Sequence, residues 1–95
     1  MHLYQAMEVL VQGRRNLRCI ELTQILEQLG FEVRDGKRGG HKLLFHRQLS
    51  GFRSASFNCG HGKNPEIKPA YISNILRILQ IYEAELKEYL GETHA

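Results

Sequence analysis

LTQILEQLGFEVRDGKRGGHKLLFH, residues 22–46, contains the change of period that decides the fold. Leu22, Ile25, Leu26 and Leu29 recur at i, i+3, i+4 and i+7, which places four apolar side chains on one face of a helix. Gly30 follows at once, a residue suited to ending a helix because it tolerates the left-handed conformation. Phe31–Arg34 then reads as a short strand, Asp35 to Gly40 as a glycine-rich turn, and His41–His46 as a second strand. Leu43-Leu44-Phe45 blurs the alternation of that strand.

Downstream, Phe52–Cys59 alternates well enough to be a third strand, and Gly60–Glu66 is a polar loop. The helical period returns with Ile72, Ile75, Leu76 and Leu79, and Pro69 stands where a first-turn proline belongs. Tyr82, Leu86 and Tyr89 continue that helix or begin a short second one, ending near Gly91. Upstream, Leu3, Met7, Leu10 and Val11 share one side of a further helix closed by Gly13. A three-stranded antiparallel meander with two amphipathic helices on one face buries both apolar stripes and leaves the other face open. The expected class is a two-layer α+β fold, with residues 1–15 as an N-terminal helical extension to a domain at 16–95.

Ninety-five residues make one small domain, and 42% apolar with 24% charged residues excludes wholesale disorder or a fibre. No apolar run is long enough for a transmembrane helix. The arginines of MHLYQAMEVLVQGRR follow its apolar part and Glu8 interrupts it, the wrong order for a secretory signal. Cys19 and Cys59 are too few for a disulfide framework, so reduced thiols and a cytoplasmic location are expected. Charge is placed unevenly. Between Arg34 and Lys68 eight Lys/Arg face only Asp35 and Glu66, a local excess of +6 between flanks of −1 and −2. Such a block is either a footprint for phosphate or an ordinary basic surface.

Gly39-Gly40-His41 after a helix–glycine–strand unit, Leu29-Gly30-Phe31 ahead of it, Gly62-Lys63 behind it and Lys68-Pro69 opening a helix that carries Ile75-Leu76 together resemble the HicA family of toxins. The resemblance runs from about Asn16 to Gly91. It implies a fold like that of double-stranded RNA-binding domains and a metal-independent ribonuclease that cuts mRNA, one half of a bacterial toxin–antitoxin pair. The catalytic histidine implied is His41, with His46 as the family's second histidine. Lys42 departs from the pattern, standing where many members have a consecutive histidine, and Arg47 stands where a proline often follows. Residues 1–15 exceed the minimal toxin. The implied partners are mRNA and a HicB-like antitoxin, with a free chain that is monomeric and needs no cofactor.

The residues themselves allow that chemistry. An imidazole titrates near neutral pH and serves as general base or acid, a contribution of about 10²–10⁴-fold. Gly39 and Gly40 let backbone amides approach a phosphate, and Lys37, Arg38 and Lys42 are candidates to stabilise charge on the phosphorane. Arg53 and Lys63 extend the candidate RNA surface. His46, five positions from His41, points to the opposite sheet face if the strand is regular, and a packed, hydrogen-bonded role under the helices follows. His61 is either a substrate contact or a plain loop residue. Cys59, His61, His46 and His41 lack metal-ligand spacing, so no metal site is expected. The glycine turn lacks the spacing and the Lys-Ser/Thr end of a nucleotide-binding loop. Phe45, Phe52 and Phe57 are either stacking platforms or core, with core preferred. Two readings without catalysis stay open: an RNA-binding module using Lys37, Arg38, Lys42 and Arg53, and an interaction domain whose basic face meets only an acidic protein.

Overall fold

The computed structural model describes residues 1–92. Its elements are α1 (Leu3–Gln12), α2 (Cys19–Gln28), β1 (Glu32–Asp35), β2 (His41–Phe45), β3 (Ala55–Asn58), α3 (Pro69–Ile81) and α4 (Glu83–Tyr89). The three strands form one antiparallel sheet in the order β1-β2-β3. This is the α+β class expected, an open three-stranded sheet with four helices.

Both helical stripes turn toward the core, with Leu76 only half-buried at the border of the second. Leu22, Ile25, Leu26 and Leu29 join Ile72, Ile75 and Leu79 in a single core that also holds Leu44 and Phe57 from the sheet. Pro69 is the first residue of α3, where its missing N–H costs nothing. α2 is capped both from a distance and locally: Asn64 Oδ1 accepts the Ile20 N–H at 2.9 Å, and Glu21 in its first turn accepts the Arg18 N–H at 3.0 Å. The turn at Tyr82 separates α3 from α4, so the tail is a second helix and not a continuation.

Three expectations are corrected. The third strand is shorter than Phe52–Cys59: the Phe52 N–H donates to Leu49 O in a turn, and its ring packs edge-on to Phe31 at 5.8 Å and to Tyr82 at 5.5 Å. Val11 is not on the buried side of α1; it is 59% exposed, and Ala6 is buried beside Leu3 and Leu10 instead. Cys19 and Cys59 are not free thiols. Residues 17–19 pair with 65–67 through Ile67 N–H to Leu17 O and Cys19 N–H to Pro65 O, and the two cysteines form a disulfide with Cα atoms 5.4 Å apart. Burial of both side chains at that crossing brings together sulfurs 40 positions apart in sequence.

The segment 1–15 is bound into the same core. Leu3, Ala6 and Leu10 are fully buried against α3 and α4, and Glu92 accepts the Leu3 N–H. Lys87 reinforces the contact, donating to Tyr4 Oη at 2.5 Å and lying 4.0 Å from its ring centre.

Candidate RNA-binding face

The register of the sheet sorts the candidate residues. Val33, Leu44 and Ala55 stand side by side, as do Asp35, Lys42 and Phe57; these two rows share the face turned to the core. The rows Arg34–Leu43–Ser56 and His41–Asn58, with Glu32–Phe45, occupy the outer face. Among the described residues no side chain of this outer face is fully buried, and His41, Leu43 and Phe45 on it are half-buried.

His41 opens β2 beside the glycine turn. Its N–H donates to Arg38 O at 3.1 Å, and its carbonyl accepts the Gly36 N–H at 2.7 Å, closing the hairpin. Gly40 has φ +81°, the value required at the third position of this turn, and a Cβ there would stand 2.8 Å from Gly60 N. Glycine is thus needed twice over, for conformation and for space. The His41 ring lies over Gly36, where a Cβ would come within 2.9 Å of the imidazole Cγ. Cys59 N–H donates to Gly40 O at 2.7 Å, and Asn58 Oδ1 accepts the Gly60 N–H at 2.6 Å. The loop that leaves β3 is therefore tied to the turn that precedes β2.

One end of the sheet consequently joins the hairpin that carries Lys37, Arg38, Gly39, Gly40 and His41 to the start of the loop that carries His61 and Lys63. Lys37, Arg38, Gly39, His61 and Lys63 are exposed. Among the described residues, the ion pairs involve His2, Arg18, Arg34 and Lys42, and none involves Lys37, Arg38 or Lys63. Their charge is available to a ligand. Not every candidate joins them. Lys42 lies on the core-facing side and its ammonium is held by Asp35. Arg53 precedes β3 at the opposite end of the sheet, near the Phe45 end of β2.

His46 is inside. It is 6% exposed, its Nε2 stands 3.0 Å from Leu29 O, and its Nδ1 accepts the Gln48 N–H at 3.2 Å. Because Nδ1 accepts, Nε2 carries the proton and donates, so both nitrogens are satisfied by a neutral ring. The ring sits edge-on between Phe31 at 4.8 Å and Tyr89 at 4.9 Å. This is the packed role that alternation predicts. Of the phenylalanines, Phe57 is core and Phe52 packs on it, whereas Phe45 lies outside under the Arg34 guanidinium, 4.6 Å from its ring centre. Arg34 also donates to Glu32 at 2.9 Å, which holds the Glu32 carboxyl below its ordinary value and raises Arg34.

The sequence pattern did not single out a cleft of about 280 Å³ next to this end of the sheet. Asn58, Cys59, Gly60, His61, Glu66, Lys68 and Tyr71 line it. Tyr71 is one position before the apolar stripe of α3, and only the crossing of α3 with the loop after β3 gives it that place. Among the described residues no cluster of His, Cys, Asp and Glu is arranged to hold a metal ion, and no helix is long and apolar enough to cross a membrane. Comparisons of the chain with protein families, with curated proteins and with solved structures found no match.

Proposed function

We propose that the chain is a metal-independent endoribonuclease of the HicA toxin type, with His41 as its catalytic residue. The observation that carries this reading is the setting of His41: half-exposed on the open sheet face, next to a glycine turn whose Lys37 and Arg38 have no acidic partner among the described residues. In the reaction the imidazole removes the proton of a 2′-hydroxyl, whose oxygen attacks the adjacent phosphorus. The bond to the 5′-oxygen breaks, that oxygen takes up a proton, and a 2′,3′-cyclic phosphate remains. Lys37 and Arg38 stabilise the extra charge on the phosphorane, and the turn's backbone amides approach it where side chains are absent.

The Cys59–Gly40 backbone hydrogen bond ties the loop to the turn, and the Cys19–Cys59 disulfide fixes the end of β3 to the start of α2. A HicB-like antitoxin presenting carboxylates to Lys37, Arg38 and Lys63 would silence the site by occupying it.

The test is end-labelled single-stranded RNA incubated with the protein in EDTA, wild type beside His41→Ala. Cleavage by the wild type alone, with cyclic phosphate ends, supports the proposal; equal cleavage by both variants rejects His41. Binding without cleavage by either favours a second reading, a non-catalytic RNA-binding module. One observation favours that reading: Lys42 is turned from His41 and held by Asp35, leaving the imidazole without that neighbouring cation.

A further inference from the structure

Beside the catalytic end of the sheet, we infer that the cleft between β3, the loop after it and the first turns of α3 is a subsite for one unpaired guanine base. The inference rests on the RNA reading above, and it names which nucleotide the protein grips and by which groups.

Position comes first. Asn58 is the direct cross-strand neighbour of His41, and it also lines the cleft. A chain of RNA whose phosphate lies at His41 therefore has an adjacent nucleotide within reach of this hollow. The size follows: about 280 Å³ is near the lower limit of small-ligand pockets, room for a single base and not for a duplex.

The lining supplies each contact a base needs. Tyr71 is half-buried and packs against the core, so its ring is a supported platform with one side left to the cleft. Stacking on such a ring requires a base that is not already paired. The Asn58 amide is oriented by its own carbonyl, which accepts the Gly60 N–H at 2.6 Å, and this leaves the NH₂ group as a fixed donor. Glu66 offers acceptors; its only ionic neighbour among the described residues is Arg18, at 4.0 Å, too long to saturate the carboxylate. An acceptor pair beside a donor matches the guanine edge, where N1–H and N2–H₂ donate and O6 accepts. Adenine has no N1–H and no O6, and would leave Glu66 facing a lone pair. Lys68, exposed at the rim, is placed for the phosphate of that nucleotide.

The experiment measures binding of two 2′-O-methyl RNA octamers, uridine throughout except for one central guanosine or one central adenosine. The blocked 2′-oxygen prevents cleavage, so binding is read apart from catalysis. The wild type should prefer the guanosine octamer, Glu66→Gln should lose that preference, and Tyr71→Leu should weaken binding of the guanosine octamer by about 5- to 100-fold. Tyr71→Phe, which keeps the ring, should retain it. Tyr71 ring resonances in the wild type should shift on titration, a readout that stands even where Tyr71→Leu unfolds. Equal affinity of the wild type for the two octamers, or undisturbed Tyr71 resonances, overturns the subsite while leaving the RNA reading in place. Failure of the wild type to bind either octamer at low salt overturns both.

Discussion

His41, the first residue of β2, and His46, the residue just past its end, differ in setting: the first stands half-exposed beside the glycine turn, the second is buried with both nitrogens bonded. Their substitutions should separate activity from stability. His41→Ala should lower RNA cleavage by about 10²–10⁴-fold and leave the unfolding free energy within about 0.5 kcal/mol of wild type. His46→Ala should cost about 2–4 kcal/mol, because it leaves a void between Phe31 and Tyr89 and strips Leu29 O of its donor. Urea denaturation and the cleavage assay, run on both variants, check the pair.

Gly30 should be irreplaceable and Gly39 dispensable to the fold. Gly30 has φ +93°, and a Cβ there would stand 2.6 Å from Tyr89 Cζ and 2.7 Å from His46 Nε2. Nothing lies within 4 Å of the corresponding position at Gly39. Gly30→Ala should therefore lose roughly 2–4 kcal/mol, and Gly39→Ala less than about 1. Thermal melts of the two variants give the comparison.

The helix at the N-terminus should behave as core. Leu10→Ala removes a fully buried side chain and should cost about 2–4 kcal/mol, whereas Val11→Ala, at a position 59% exposed, should be nearly silent. A small effect of Leu10→Ala, read by denaturant midpoint, would mean that α1 is a detachable appendage.

Reduction of the Cys19–Cys59 bond, which closes a loop over a separation of 40 residues, should lower stability by roughly 3–4 kcal/mol. The fold should survive under native conditions, since both side chains are buried among apolar neighbours. A Cys19→Ala/Cys59→Ala variant should match the reduced protein and ignore added reductant in the same melt.

The Glu32 carboxyl, held low by the hydrogen bond and charge of Arg34, should titrate below the ordinary carboxylate range in an NMR pH series. A depressed folded value means that the pair's contribution is present above the unfolded pKa and is lost as pH falls through the folded one. Arg34→Gln should move the Glu32 midpoint upward; an unmoved midpoint would show that the pair does not persist in solution.

What was legible in the sequence was what a local period can carry. The stripes Leu22–Leu29 and Ile72–Leu79 each name a buried face, Gly30 and Pro69 mark helix ends, and alternation along β2 separates His41 from His46. The same alternation sets Lys42 on the face away from His41, as the register shows. Val11, at the border of its stripe, shows the limit of such a period. A helical stripe is broad, and which of its border residues is covered depends on the partner helix.

Sequence alone therefore determined the order of elements, the apolar face of the two main helices and the residues available for chemistry. Tertiary structure alone decided the Cys19–Cys59 bond, the capping of α2 by Asn64, the inward turn of Phe52 and the cleft that joins Asn58, Glu66 and Tyr71. The division has one physical cause. Periodicity reports which side of an element avoids water, whereas these features are meetings between elements, fixed only when packing of the whole core sets how the segments cross.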